Sequence, residues 1–402
     1  MKAPWNLLIA LALNCCFSSC YSQKESTLVI KTSSDLQVGA ERMEEYLPLI
    51  QGKTIAVVAN HTSMIKQTHL VDSLVSLRVK IKCVFAPEHG FRGNFSYGQH
   101  IVSEVDEGTG LFIVSLYGKN MKPTQQALKD VDVVLFDIQD VGARFFTYIS
   151  TLQKVMEACA EQSKTLIVLD RPNPNGFYID GPVLEKSHTS FVGMNQVPVV
   201  YGLTIGEYAQ MLNGERWLAN QVQCQLSVIK IKNYDHGDLY QLPIRPSPNL
   251  PDMTSVYLYP SLCFFEGTRV SIGRGTDKPF KMIGYPGFRD GDVQFTPKSL
   301  PGIADHPVYE DTLCNGLDVE EFGKLYALNF RKIYLFWLKE MHDTYPDKTK
   351  FFNTFFEKLA GNDQLRKQIS EGKSEADIRK SWQNDLNKYK IIRKKYLLYN
   401  DF

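Results

Sequence analysis

Residues 131–138 read VDVVLFDI, a short and almost wholly apolar run rich in β-branched side chains. Such a run, without polar alternation, suits a strand covered on both faces. Four similar runs surround it: Thr54–Ala59 (TIAVVA), Lys82–Ala86 (KCVFA), Leu111–Ser115 (LFIVS) and Thr165–Asp170 (TLIVLD). Amphipathic stretches lie between them. In the stretch from Tyr148 to Cys159, the residues Tyr148, Leu152, Val155, Met156 and Cys159 share one face at helical spacing. Strands alternating with helices predict an α/β fold, a doubly wound parallel sheet over residues 35–197. A mixed α/β domain is expected over 198–402. It opens on Thr204-Ile205-Gly206-Glu207, which has capping-box form. Strand-like Leu226–Ile231 and a Pro/Gly-rich region from Pro243 to Pro307 follow. Beyond Val319 the pattern turns helical, with Phe322, Leu325, Tyr326, Ile333 and Trp337 recurring.

The chain has 402 residues, enough for two domains at about 100–200 residues each. Lys and Arg number 45 against 44 Asp and Glu, a net charge of +1, so there is no basic excess to hold a polyanion. Nucleic acid is not an expected partner. The basic run from Lys388 to Lys395 reads as a solvated helix face. Most of the 20 Tyr and 23 Phe belong to cores, although Tyr also suits clefts that bind sugars.

Lys2 precedes an apolar run, Leu7–Leu13 (LLIALAL), too short to span a bilayer. Residues 1–22 therefore read as an export signal. Ser18-Ser19-Cys20 at its end suits a lipoprotein processing site in which Cys20 becomes the lipidated N-terminus; simple cleavage near Ser22 is the other reading. Residues 23–34 would be a tether, and the protein a periplasmic or membrane-anchored one. Cys83, Cys159, Cys224, Cys263 and Cys314 remain beyond this segment, with no C-x-x-C pair. They read as small core residues, and neither a zinc site nor a disulfide framework is expected.

In open α/β sheets ligands sit at the carboxyl ends of the strands. There the chain gathers Asn60, Glu88, His89, Arg92, Asp137, Asp140, Arg144, Asp170, Arg171 and Asn173. No Gly-x-Gly-x-x-Gly follows a strand, and neither a P-loop nor a Gly-x-Ser-x-Gly elbow occurs, so nucleotide binding and hydrolase-type serine chemistry are disfavoured. A cleft of carboxylates, arginines and amides fits glycoside hydrolysis, which needs a carboxylic acid for the leaving oxygen and usually a second carboxylate. Glu88, in Pro87-Glu88-His89-Gly90, suits the first role, because a carboxyl in apolar surroundings holds its proton more tightly. Further along, Gly273 and Gly275 flank Arg274 in a loop suited to an anion.

Pro87–Gly93 (PEHGFRG), Ser115–Gly118 (SLYG), Phe136–Phe145 (FDIQDVGARF), Tyr148–Thr151 (YIST), Asp170–Pro174 (DRPNP) and Gly181–Leu184 (GPVL) resemble the NamZ-type exo-β-N-acetylmuramidases. The match continues through Pro246–Pro251, Phe265–Thr276, Pro279-Phe280 and Trp382-Gln383. The resemblance implies a Rossmann-like N-terminal domain and a mixed α/β C-terminal one, with the active-site cleft between them. It also implies removal of N-acetylmuramic acid (MurNAc) from the non-reducing end of peptidoglycan fragments such as MurNAc-GlcNAc, without a cofactor or metal. It puts the catalytic acid on Glu88. A second carboxylate, Asp140 or Glu266, or the substrate's own acetamido group, would complete the reaction. MurNAc carries a lactyl carboxylate suited to a planar arginine. Arg92, Arg144, Arg171 and Arg274 are candidates, with Arg274 and Arg144 foremost. Asn60, His89, Asp137, Tyr148, Asn173, Asn249 and Thr276 complete the expected substrate-binding set. Gln99 departs from the acidic residue expected there, and Phe95-Ser96-Tyr97 sets the rim of the same loop. Two rivals use the same residues: a non-catalytic muropeptide-binding lipoprotein, and a metal-dependent hydrolase built on Glu88, His89, Asp137 and Asp140.

Overall fold

The computed structural model describes residues 30–32, 34–93, 104–325 and 327–402. The proposed signal segment with Cys20, the loop carrying Phe95–Tyr97 and Gln99, and Tyr326 lie outside the described residues.

A seven-stranded sheet organises the first half. Read across it, the strands are Gln225–Ile229, Thr165–Leu169, Val133–Asp137, Thr54–Ala59, Lys80–Ala86, Phe112–Ser115 and Glu104–Val105. All neighbours are parallel except the last pair. The chain starts at Thr54–Ala59, fills one side, then crosses to Val133–Asp137 and fills the other. This is doubly wound order, and it opens a crevice between Thr54–Ala59 and Val133–Asp137 at their carboxyl ends. Every residue of Val133–Asp137 is buried, which is why the run reads apolar without alternation.

Two boundaries differ from the sequence reading. Gln225–Ile229 pairs with Thr165–Leu169, so the parallel sheet reaches beyond residue 198, where a new unit was expected. Residues 30–31, assigned to the tether, pair instead with Leu239–Tyr240, and Lys31 forms an ion pair with Asp238 at 2.7 Å. The pairing runs through backbone groups, which a polar segment carries as well as an apolar one, so side-chain character does not betray it.

The second half holds a three-stranded antiparallel sheet, with Cys314–Asp318 between Met282–Tyr285 and Val293–Phe295, and a series of helices ending in Glu375–Arg393. One continuous core, from Leu36 to Tyr389, joins both halves. Cys83 and Cys159 belong to it. No helix among the described residues is long and apolar enough to cross a membrane.

Residues 397–402 fold back onto the edge of the large sheet. The Tyr399 hydroxyl donates to Asp170 Oδ2 at 2.5 Å, and the amide of Leu398 donates to Glu207 Oε1 at 2.7 Å. Buried His236 lies 2.9 Å from Glu207 and donates its own amide to the carbonyl of Asn400. Arg393 pairs with Asp401 at 2.7 Å and lies over the Phe402 ring.

Candidate active site

The strand Lys80–Ala86 ends in a turn at Pro87–Gly90, closed by the Gly90 amide on the Pro87 carbonyl. His89 and Gly90 both take positive φ, 71° and 76°. For histidine that costs about 1–2 kcal/mol, a strain that accumulates at functional sites. The turn sets Glu88 and His89 in the wall of a cavity of ≈ 320 Å³. From the sheet side the wall is completed by Tyr117, Met121 and the run Phe145–Tyr148, and from the loop beyond by Phe191 and Val192. The second half supplies Ser247, Leu250, Tyr259, Cys263, Glu266, Arg274, Phe280, Phe355 and Leu359. The cavity therefore lies between the sheet's carboxyl edge and the second half, as the doubly wound order requires. Its wall is aromatic and aliphatic, with few polar groups, the usual make-up of a ligand site.

Glu88 is 7% exposed. Its Oε2 accepts the Thr147 hydroxyl at 3.0 Å, and its Oε1 has no hydrogen-bond partner among the described residues. Tyr148 is held beside it: Asn60 Nδ2 donates to the Tyr148 hydroxyl oxygen at 2.9 Å. The orientation of that amide follows from Thr62, whose amide and hydroxyl both donate to Asn60 Oδ1. Burial pushes the Tyr148 phenol well above its ordinary value, and the nearby Glu88 adds to the shift, so it stays protonated. Across the cavity Arg274 pairs with Glu266 at 2.5 Å and lies over the Phe280 ring. Gly273 and Gly275 have φ of 75° and 80° and shape the turn that presents Arg274.

Thus Glu88, His89, Tyr148, Glu266 and Arg274 meet at one cavity. The other expected site residues do not line it. Asp140 is buried behind the wall, where Gly142's amide (2.7 Å) and the Tyr201 hydroxyl bind its Oδ2. The Arg144 guanidinium is fully buried and donates to the carbonyls of Pro182, Val197, Leu359 and Ala360, each at 2.8 Å. It ties the two halves together and has no reach to a ligand. Arg171 clasps Asp137 through Nε and Nη2 at 2.6 and 2.9 Å, which occupies both residues. Arg92 is engaged by Asp72 and Asp106 and stacks on Phe91. Asn173 donates to the Leu203 carbonyl and packs on Gly142, where a Cβ would fall 2.0 Å from its Oδ1. Asn249 Nδ2 donates to the Ile303 carbonyl, and Asn60 acts through Tyr148. The Thr276 hydroxyl closes the turn onto the Gly273 carbonyl and faces a separate hollow by the small sheet. The four residues suggested for a metal are likewise not gathered, since Asp137 and Asp140 are bound elsewhere.

Sequence reasoning missed Thr147, although it lies between two quoted motifs, and missed the apolar wall, whose members read as core. Residues 55–254 match the family description Exo-beta-N-acetylmuramidase NamZ, N-terminal, and residues 257–399 match its C-terminal counterpart. The chain belongs to the NamZ exo-β-N-acetylmuramidase family, a family of glycoside hydrolases. It is 38% identical over 387 residues to the peptidoglycan β-N-acetylmuramidase NamZ of Bacillus subtilis (strain 168), covering 90% of this chain and 91% of that protein. Two DUF1343 family proteins of Bacteroides fragilis NCTC 9343, both solved as crystal structures, share the architecture. One has a TM-score of 0.85 at 43% identity, covering 92% of this chain and all of that one. The other has a TM-score of 0.77 at 30% identity, covering 91% and 99%.

Proposed function

We propose that this NamZ-family chain hydrolyses the β-1,4 bond of a terminal MurNAc residue at the non-reducing end of peptidoglycan fragments, with Glu88 as general acid. The observation that carries this reading is the Glu88 carboxyl itself. It is buried in the cavity wall, anchored through one oxygen, with the other unengaged by any described residue. A general acid must reach the glycosidic oxygen within hydrogen-bond distance, and an anchored carboxyl can do so reproducibly. The cavity is at the small end of ligand sites, which supports binding of one terminal sugar over a long glycan. Glu266 is the second carboxylate at the wall; the substrate's acetamido group is the other route to the intermediate. Arg274 is the candidate arginine in the cavity wall, which supports a role for it in binding the lactyl carboxylate; the ligand would share its guanidinium with Glu266.

The test is product analysis with MurNAc-GlcNAc. Free MurNAc is expected from the wild type, and Glu88→Gln should slow its release by roughly 10²–10⁴. No release by the wild type, or a near-normal rate for the variant, would sink the reading. We further propose that the chain is exported and anchored through lipid on Cys20. Mass spectrometry of the mature N-terminus should find acylated Cys20; an unmodified terminus near Gln23 rejects the anchor.

A further inference from the structure

We propose that Thr147 is a positioning residue that decides which oxygen of Glu88 carries the proton delivered to the leaving group; this rests on the general-acid reading above. Thr147 is the N-cap of the helix Tyr148–Glu161. A threonine there ordinarily turns its hydroxyl back to accept a first-turn amide. Here it makes no such bond, and the hydroxyl donates to Glu88 Oε2. Its backbone is already helical (φ −72°, ψ 0°), which turns the hydroxyl away from the first-turn amides and leaves it to reach Glu88.

The consequence for Glu88 follows from hydrogen-bond chemistry. An oxygen that receives a donor in line keeps its lone pairs toward that donor. When the carboxyl is neutral, its proton therefore belongs on the other oxygen. That oxygen is Oε1, itself buried and engaged by no described residue, on a side chain forming part of the cavity wall. Without Thr147 the proton would be shared between two equivalent oxygens, and the carboxyl would be free to turn about its last torsion. The donor is itself kept in place. Asn60 pins the hydroxyl of the next residue, Tyr148, so the start of the helix is fixed against the Glu88 turn.

The experiment measures kcat and KM for the full chain on MurNAc-GlcNAc, comparing Thr147→Val, Thr147→Ala, Thr147→Ser and Glu88→Gln. Loss of one hydrogen bond predicts an about tenfold lower kcat for Val and Ala, with KM little changed. Serine keeps the hydroxyl and should restore the rate. A Val or Ala variant with wild-type kcat, beside an inactive Glu88→Gln, overturns the role of Thr147 and leaves Glu88 standing. Lost activity that serine fails to rescue, or a loss that falls on KM and not on kcat, overturns it too, because a merely structural role behaves that way. An active Glu88→Gln overturns the general-acid reading instead. Alanine removes the hydroxyl without a branched side chain, so a folding defect confined to valine leaves the comparison intact.

Discussion

At Asp140, burial and hydrogen bonding pull in opposite directions. Burial pushes its carboxyl up to about 7, against the bonds from Tyr201, Gly142 and Val141 that favour the anion. The folded value thus lies above the ordinary 3.8. The stability this group contributes is fully present below the ordinary value and is lost as pH rises through the folded one. Each unit is worth about 1.4 kcal/mol, so the loss between pH 4 and pH 8 is at most a few kcal/mol. Asp140→Asn keeps an acceptor for Tyr201 and Gly142 and removes the charge. Urea unfolding should find it close to the wild type near pH 4 and more stable than the wild type at pH 8. Equal stability of the two proteins at pH 8 would contradict this account. Asp140 and Arg144 also mark the limit of reading sites from sequence. Their types suit catalysis and carboxylate binding, but their partners are a tyrosine 61 positions away and backbone carbonyls up to 216 away. No local pattern encodes a backbone acceptor.

Elements were legible where a single physical cause leaves a local trace. Two-sided burial makes uninterrupted apolar runs, and Thr54–Ala59 has the expected bounds, while the others shift by one or two residues. The capping box at Thr204–Glu207 is formed reciprocally, with Glu207 Oε2 accepting the Thr204 amide at 2.9 Å. The turn around Arg274 has the left-handed glycines its sequence calls for. Membership was harder to read. Gln225–Ile229 was visible as a strand, but nothing within it says which sheet it joins. The cavity wall was hidden for the same reason. Phe145, Phe191 and Phe355 each look like core residues in their own segments, and only the packing of remote segments leaves them facing a hollow.

For the molecule as a whole, residues 397–402 secure the edge of the large sheet. They give Asp170 a hydroxyl and Glu207 an amide, both inside the protein. Ending the chain after Tyr396 would leave these carboxylates buried with fewer donors and Arg393 without Asp401. Breaking buried charged contacts of this kind costs about 3–5 kcal/mol, so the truncated protein should unfold at clearly lower urea concentration. An unchanged midpoint would show that the segment merely decorates the surface. The same segment also has a meaning in time. Asp170 and Tyr399 are 229 positions apart. At about 5–20 residues per second of synthesis, roughly 10–45 s separate their emergence from the ribosome. Within that interval the strands of the large sheet are completed, the last by Ile229, while its acidic end is still unlatched. Until residues 397–402 emerge, Asp170 and Glu207 lack the donors that Tyr399 and Leu398 bring, so the last hydrogen bonds at this end of the sheet form only after synthesis is nearly finished.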